Sequence, residues 1–323
     1  MILALALALV ITVGIVLPHR LRLERSAPLA AAALWAVSLA LRALTVMFIA
    51  LYLAFYLPGT QMFAELTHWC WHAVLPLLTT HLGLDGHRVG DAATFLPGLL
   101  VMASLLSVSF GMFRAARAIR RLLVRDALGP GPADSVIVAG REVILAAAGL
   151  TRPQVVVSAG ALLELDDDEL AAGLDHEHGH IARRHRFLFL FAELCRGIGR
   201  CIPGCRRALL ELAFHLERDA DHWALRRSHD RLALASAICK AAGLQAPNSP
   251  AVAPLNGGGT EERLGQLLAD QPFRRSGAAA ALLNTLAVVM VCATILMAAL
   301  VPSTALAGAQ QLGEGQQPRH CMN

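Results

Sequence analysis

The chain is poor in charge: Asp, Glu, Lys and Arg together make up only 16% of its 323 residues. Apolar residues make up 56% and the mean hydropathy is +0.54, too apolar for an ordinary soluble protein. Lysine is nearly missing. Lys240 is the only one, so the formal charge of +4 rests on arginine, and the arginines sit beside apolar blocks rather than along one helix face. That pattern gives no reason to expect direct nucleic-acid binding. The seven cysteines offer no disulfide framework and read as structural. Cys201 and Cys205 lack the two-residue spacing of a zinc knuckle, and a Pro-Gly break lies between them. Cys70 and Cys321 could pair in one compartment, but nothing in the sequence demands it. There is no Gly-rich phosphate loop and no serine-nucleophile elbow. No basic residue precedes the first apolar run, which argues against a cleaved signal peptide.

What the chain does have is long apolar blocks. Residues 1–17 are uninterrupted and about long enough to span a bilayer. A second block lies within 29–57, with Arg42 in its middle, where a charge must face a bundle or snorkel. A third runs over 95–113 and a fourth over 278–301. Arg20, Arg22 and Arg25 follow the first block, Arg114, Arg117, Arg120, Arg121 and Arg125 follow the third, and Arg274 and Arg275 precede the fourth. The positive-inside rule then places both termini outside and the segment between the third and fourth blocks in the cytosol. The expected organisation is three spans over 1–113 with an outer loop at about 58–94, a cytosolic domain over 114–277, a fourth span over 278–302 and a disordered tail over 303–323. The outer loop carries His68, His72, His81 and His87 with Trp69 and Trp71. His68 and His72 have helical ligand spacing, although Trp and His at a membrane interface is the commoner arrangement.

The chemistry is concentrated in the cytosolic segment. Residues 166–185 read as one amphipathic helix, with Asp166 as N-cap and Glu169 completing a capping box. Inside it stands His176-Glu177-His178-Gly179-His180, an HExxH motif. His176 and His180 leave the same helix face and can grip one metal ion. Glu177 lies about 100° round, within reach of a water beside that metal but not in place of a ligand. His178 and His185 point elsewhere and are not expected as ligands. A third histidine at 186 is excluded, because Arg183 and Arg186 stand where a Gly and a His would be needed. The remaining option is a carboxylate from a later helix, and Glu217 is the candidate, with Asp221 one turn on. Asp221 could then orient a ligand histidine. A solvated acidic patch is the plain alternative for this pair.

His176-Glu177-x-x-His180 followed by Glu217-x-x-x-Asp221 resembles the integral-membrane gluzincin peptidases. Two branches are similar: the HtpX and CAAX prenyl protease type, and the BlaR/MecR antirepressor type. The resemblance covers roughly residues 114–270, including strand-like Gln154-Val155-Val156-Val157-Ser158 before the metal helix. It implies a mostly α polytopic membrane protein with a small α+β zincin-like metallopeptidase domain. It also implies Zn2+ held by His176, His180 and Glu217, and an edge strand that holds the substrate in extended form. Arg263 matches an arginine that the HtpX type places near the metal; the His expected six residues earlier is replaced by Gly257. His215 or His222 could substitute for it. A tail of this length also departs from full-length beta-lactam sensors.

Glu177 is therefore expected as general base, taking a proton from water and passing it to the leaving amine. The expected partners are a protein or peptide substrate, such as a repressor, and the lipid bilayer. Four spans with the domain between the third and fourth look closer to the BlaR/MecR type, and membrane-protein quality control is the HtpX-like alternative. A metal transporter or sensor, or a silent scaffold, are the non-protease readings.

Overall fold

The computed structural model describes residues 2–21, 23, 26–70, 93–227, 230–243, 259–269, 281–282, 285–292 and 295. His72, His81, His87, Gly257, Cys321, the tail and much of the fourth apolar block lie outside the described residues. The apolar blocks become helices: α1 (Ile2–Arg20), α2 (Pro28–Phe55) and α4 (Leu96–Arg125), with the short α3 (Gln61–Trp69) after α2. Proline at the first position of α2 suits a helix start, where its missing N–H costs nothing. The helix α4 runs through the arginine segment without a break.

The two halves of α2 differ. Leu34, Trp35 and Leu39 are buried against later helices, whereas Leu44, Met47, Ile49 and Phe55 are exposed. Arg42 marks the division and faces the bundle, as expected for a charge inside an apolar helix. It is buried, donates from Nη1 to Ser38 O at 3.1 Å and Ser38 Oγ at 2.5 Å, and has Nη2 3.1 Å from His19 Nε2. Among the described residues two stretches, Pro28–Gly59 and Leu96–Arg121, are long and apolar enough to cross a membrane.

A small mixed sheet follows, with strands β1 (Ala127–Pro130), β2 (Val136–Val138), β3 (Leu145–Ala148) and β4 (Gln154–Ser158) in the order β1-β2-β4-β3. The central pair β2–β4 is parallel, with Val136 opposite Val156. The β-branched valines predict these two strands. The edge strands β1 and β3 do not read from sequence: one holds Gly and Pro, the other is Leu-Ala-Ala-Ala. Both pair antiparallel with their inner neighbours.

Helices α5 (Ala159–Glu164), α6 (Asp167–Ala182), α7 (His185–Ile198), α8 (Cys205–Leu225), α9 (Arg231–Gly243) and α10 (Thr260–Leu268) follow, and residues 285–292 are also helical. The capping box of α6 is present, with Asp166 Oδ1 accepting from Glu169 N at 2.8 Å and Glu169 Oε2 from Asp166 N at 2.9 Å. One expectation is corrected here. Residues 166–185 are not one helix, because α6 ends at Ala182 and Arg184 turns left-handed at φ 57°. That turn redirects the chain into α7, whose Leu188, Phe189 and Ala192 join the core formed by α2 and α8.

Candidate metal centre

Two helices supply the donors. On α6, His176 and His180 are one turn apart, and on α8 Glu217 and Asp221 are likewise one turn apart. Gly179 lets these helices meet. A Cβ there would lie 3.0 Å from Trp223 Cβ on α8, tighter than nine in ten real contacts. Where α8 begins, Gly204 at φ 87° makes the reversal from α7.

The result is a cluster of His176, His180 and Glu217, the one group of three potential metal donors among the described residues. His176 Nε2 lies 3.2 Å from His180 Nε2 and 3.4 Å from Glu217 Oε2, and His180 Nε2 lies 3.5 Å from Glu217 Oε1. Donors bonded at ~2.0–2.1 Å in a tetrahedral site are about 3.3–3.4 Å apart. The three separations match three edges of such a tetrahedron, so the residues fit a zinc-sized ion.

The electrostatics agree with a donor set held together by charge. Burial pulls His176 down, but the carboxylates of Asp221 and Glu217 beside it outweigh burial and push the imidazolium up to about 10. Burial dominates at His180, which falls to about 3. At Glu217 burial acts upward, yet His180, His176 and Arg263 bring the carboxyl down to about 2. His180 is thus neutral, Glu217 is ionised, and the proton on His176 is the one a cation would displace.

Around the donors the supporting groups are ordered. Asp221 Oδ1 lies 2.9 Å from His176 Nδ1. Arg263, from α10, donates to Asp221 through Nε at 2.9 Å and Nη2 at 2.8 Å, and its Nη1 is 2.8 Å from Glu217 Oε2. Burial of Asp221 acts upward, but Arg263 and His176 hold its carboxyl far below the usual range. Arg263 is buried. Glu177 stands apart from the donors, accepting from the exposed Ala147 N–H on edge strand β3 at 2.7 Å. Burial pushes the Glu177 carboxyl up to about 7.

Sequence reasoning brought together His176, Glu177, His180, Glu217, Asp221 and Arg263, and the fold places all of them here. It missed His185 and Asp219. His185 Nδ1 lies 3.1 Å from His180 Nδ1, because the break at Arg184 swings the ring back over α6. No Gly or Pro marks that break, so only the pairing of a spare His with a spare Asp hinted at it. His215 is buried with Nδ1 3.2 Å from Arg218 Nη1, and neither it nor His222 belongs to the donor group.

Paired histidines on one helix and a carboxylate from a second could hold a metal ion, with a further glutamate, Glu177, beside them. The profile of Peptidase family M48 matches residues 115–198, which supports a metallopeptidase. That stretch runs from the arginine-rich end of α4 through the sheet and the HExxH helix to the end of α7. It stops before α8, so Glu217 rests on geometry alone. Comparison with curated proteins and with solved structures finds no match.

Proposed function

We propose that the protein is a membrane-embedded, zinc-dependent endopeptidase that cleaves a cytosolic or membrane protein. The observation that carries this reading is the triangle of His176, His180 and Glu217, whose sides of 3.2, 3.4 and 3.5 Å suit one tetrahedral ion. His176, His180 and Glu217 would hold the zinc, which would supply Lewis acidity to a carbonyl and to a water there. Glu177 takes the proton from the attacking water and delivers it to the leaving amine. Its bond to the Ala147 N–H keeps the carboxylate next to β3, an edge strand of the sheet among the described residues, where an extended peptide that takes over that N–H can pair as an added strand. Arg263 fixes Asp221 and Glu217 together, so neither carboxylate swings when substrate enters.

In this reading the exposed apolar faces of α2 and α4 lie in lipid, with 114–277 cytosolic and both termini outside. A repressor protein is the substrate class that the four-span arrangement expected from the sequence favours, with no direct contact to nucleic acid. The purified protein, incubated with casein or a candidate repressor, is expected to cleave, to stop with chelator and to resume with zinc. Cleavage that persists in chelator or in Glu177→Gln would overturn the reading.

A further inference from the structure

We infer that His185 and Asp219 form a relay that positions His180 for the metal, on the reading of the donor cluster given above. A histidine that offers Nε2 to a metal carries its proton on Nδ1, and that proton needs an acceptor. For His180 the group in place is His185 Nδ1, at 3.1 Å. With Nδ1 accepting, a neutral His185 carries its own proton on Nε2, which lies 3.2 Å from Asp219 Oδ2. One assignment of protons therefore satisfies the whole chain. Both residues are buried, His185 at 2% and Asp219 at 5% exposure, so water does not replace either partner.

The two ligand histidines are thus backed by two arms of unequal length. His176 meets Asp221 directly at 2.9 Å, and Asp221 is gripped by Arg263. Asp219 is two residues from Asp221, about 200° round α8, and cannot serve the same side. It reaches His180 through the ring of His185, and is itself braced by Arg183 Nε at 3.4 Å. The left-handed Arg184 makes this possible, since an unbroken helix would carry His185 off the His180 face.

His185 is a positioning residue, and the test reads metal rather than turnover. Zinc affinity of the full-length protein is measured by competition with a chelating dye, and the visible absorption of bound Co2+ reports the ligand geometry. His185→Phe keeps the ring and removes both nitrogens, and should weaken zinc about 10–100-fold and shift the cobalt bands. In His185→Asn the amide oxygen occupies the place of Nδ1, so affinity should stay within about threefold of wild type. Asp219→Ala should weaken zinc in the wild-type background and have no further effect in the His185→Asn background. That last pair carries the test even if the Phe protein does not fold. Wild-type affinity in His185→Phe, equal losses in the Phe and Asn variants, or an Asp219→Ala effect undiminished by His185→Asn would overturn the relay. A wild-type protein that binds no zinc would instead overturn the metal reading itself.

Discussion

Glu169 ties the metal helix to its neighbour, and replacing it should loosen that junction by a predictable amount. Its carboxylate accepts from Asp166 N at 2.9 Å, from Ser236 Oγ at 2.5 Å and from Lys240 Nζ at 2.6 Å. Glu169→Ala removes half of the capping box, worth about 1 kcal/mol. It also removes two bonds to a charged acceptor, worth about 1.5–3 kcal/mol each before relaxation. Lys240 is 38% exposed and keeps Glu164 O at 2.9 Å, so its share is the smaller. The net loss is about 3 kcal/mol, or about 6–12 °C in Tm for a unit of this size. Thermal unfolding in detergent with chelator present measures it without metal linkage. The pH dependence has a definite sign. Burial acts to raise the Glu169 carboxyl, but Lys240, Ser236 and the Asp166 N–H hold it below its ordinary 4.5. Its stabilisation is therefore full above 4.5 and is lost as pH falls through the lower folded value, so the gap to Glu169→Ala narrows in acid. His176 sits two turns along α6, so zinc affinity should change little. An Ala protein that melts with wild type at pH 7, or a gap that does not close on acidification, would refute this account.

Glu177→Gln should retain zinc and lose at least about 10²–10⁴-fold in cleavage rate, read by metal analysis beside a peptide assay. Glu217→Ala should lower the zinc content of purified protein to below about a tenth, because only two donors remain. With His176 at about 10 in the metal-free site, its proton competes with metal throughout the neutral range. Apparent zinc affinity should rise about tenfold per pH unit between pH 7 and 9, with close to one proton released per ion, measured by calorimetry in two buffers. Gly179→Ala would press a methyl group onto Trp223, forcing α6 and α8 apart at a cost of about 1–3 kcal/mol, with weaker zinc binding than wild type in the same dye competition.

The legible part of the site is the part encoded by helix periodicity. His176 with His180, and Glu217 with Asp221, each repeat at one turn, so a single helix fixes their common face whatever the rest of the chain does. The capping box is legible for the same reason, since both of its bonds are local. Arg263 came from resemblance, and nothing nearby in sequence says that its guanidinium reaches Asp221 and Glu217 from a third helix. β3 was illegible because Leu-Ala-Ala-Ala favours a helix, and only pairing with the buried valines of β4 makes it a strand. His185 failed for a different reason. Its place depends on one residue, Arg184, adopting a left-handed conformation that an arginine does not advertise.

Hydropathy alone did not separate the two uses of α2. Its first half packs Leu34, Trp35 and Leu39 against Leu209, Leu212 and Leu216 of α8, the helix that carries Glu217. Its second half leaves Leu44, Met47, Ile49 and Phe55 uncovered, as does α4 with Leu99, Leu106 and Phe110. Both halves are built from the same apolar residues whether protein covers them or not, so the sequence shows one continuous block for the buried half and the exposed half. The buried and exposed halves meet at Arg42, whose bonds to Ser38 and His19 make a polar setting inside an otherwise apolar helix. Gly199 and Gly204, at the reversal from α7 into α8, press close to Arg42 as well. The foot of the Glu217 helix and the middle of the longest apolar stretch are thus packed together, and the third metal donor rests on a helix that hydropathy would assign wholly to the membrane.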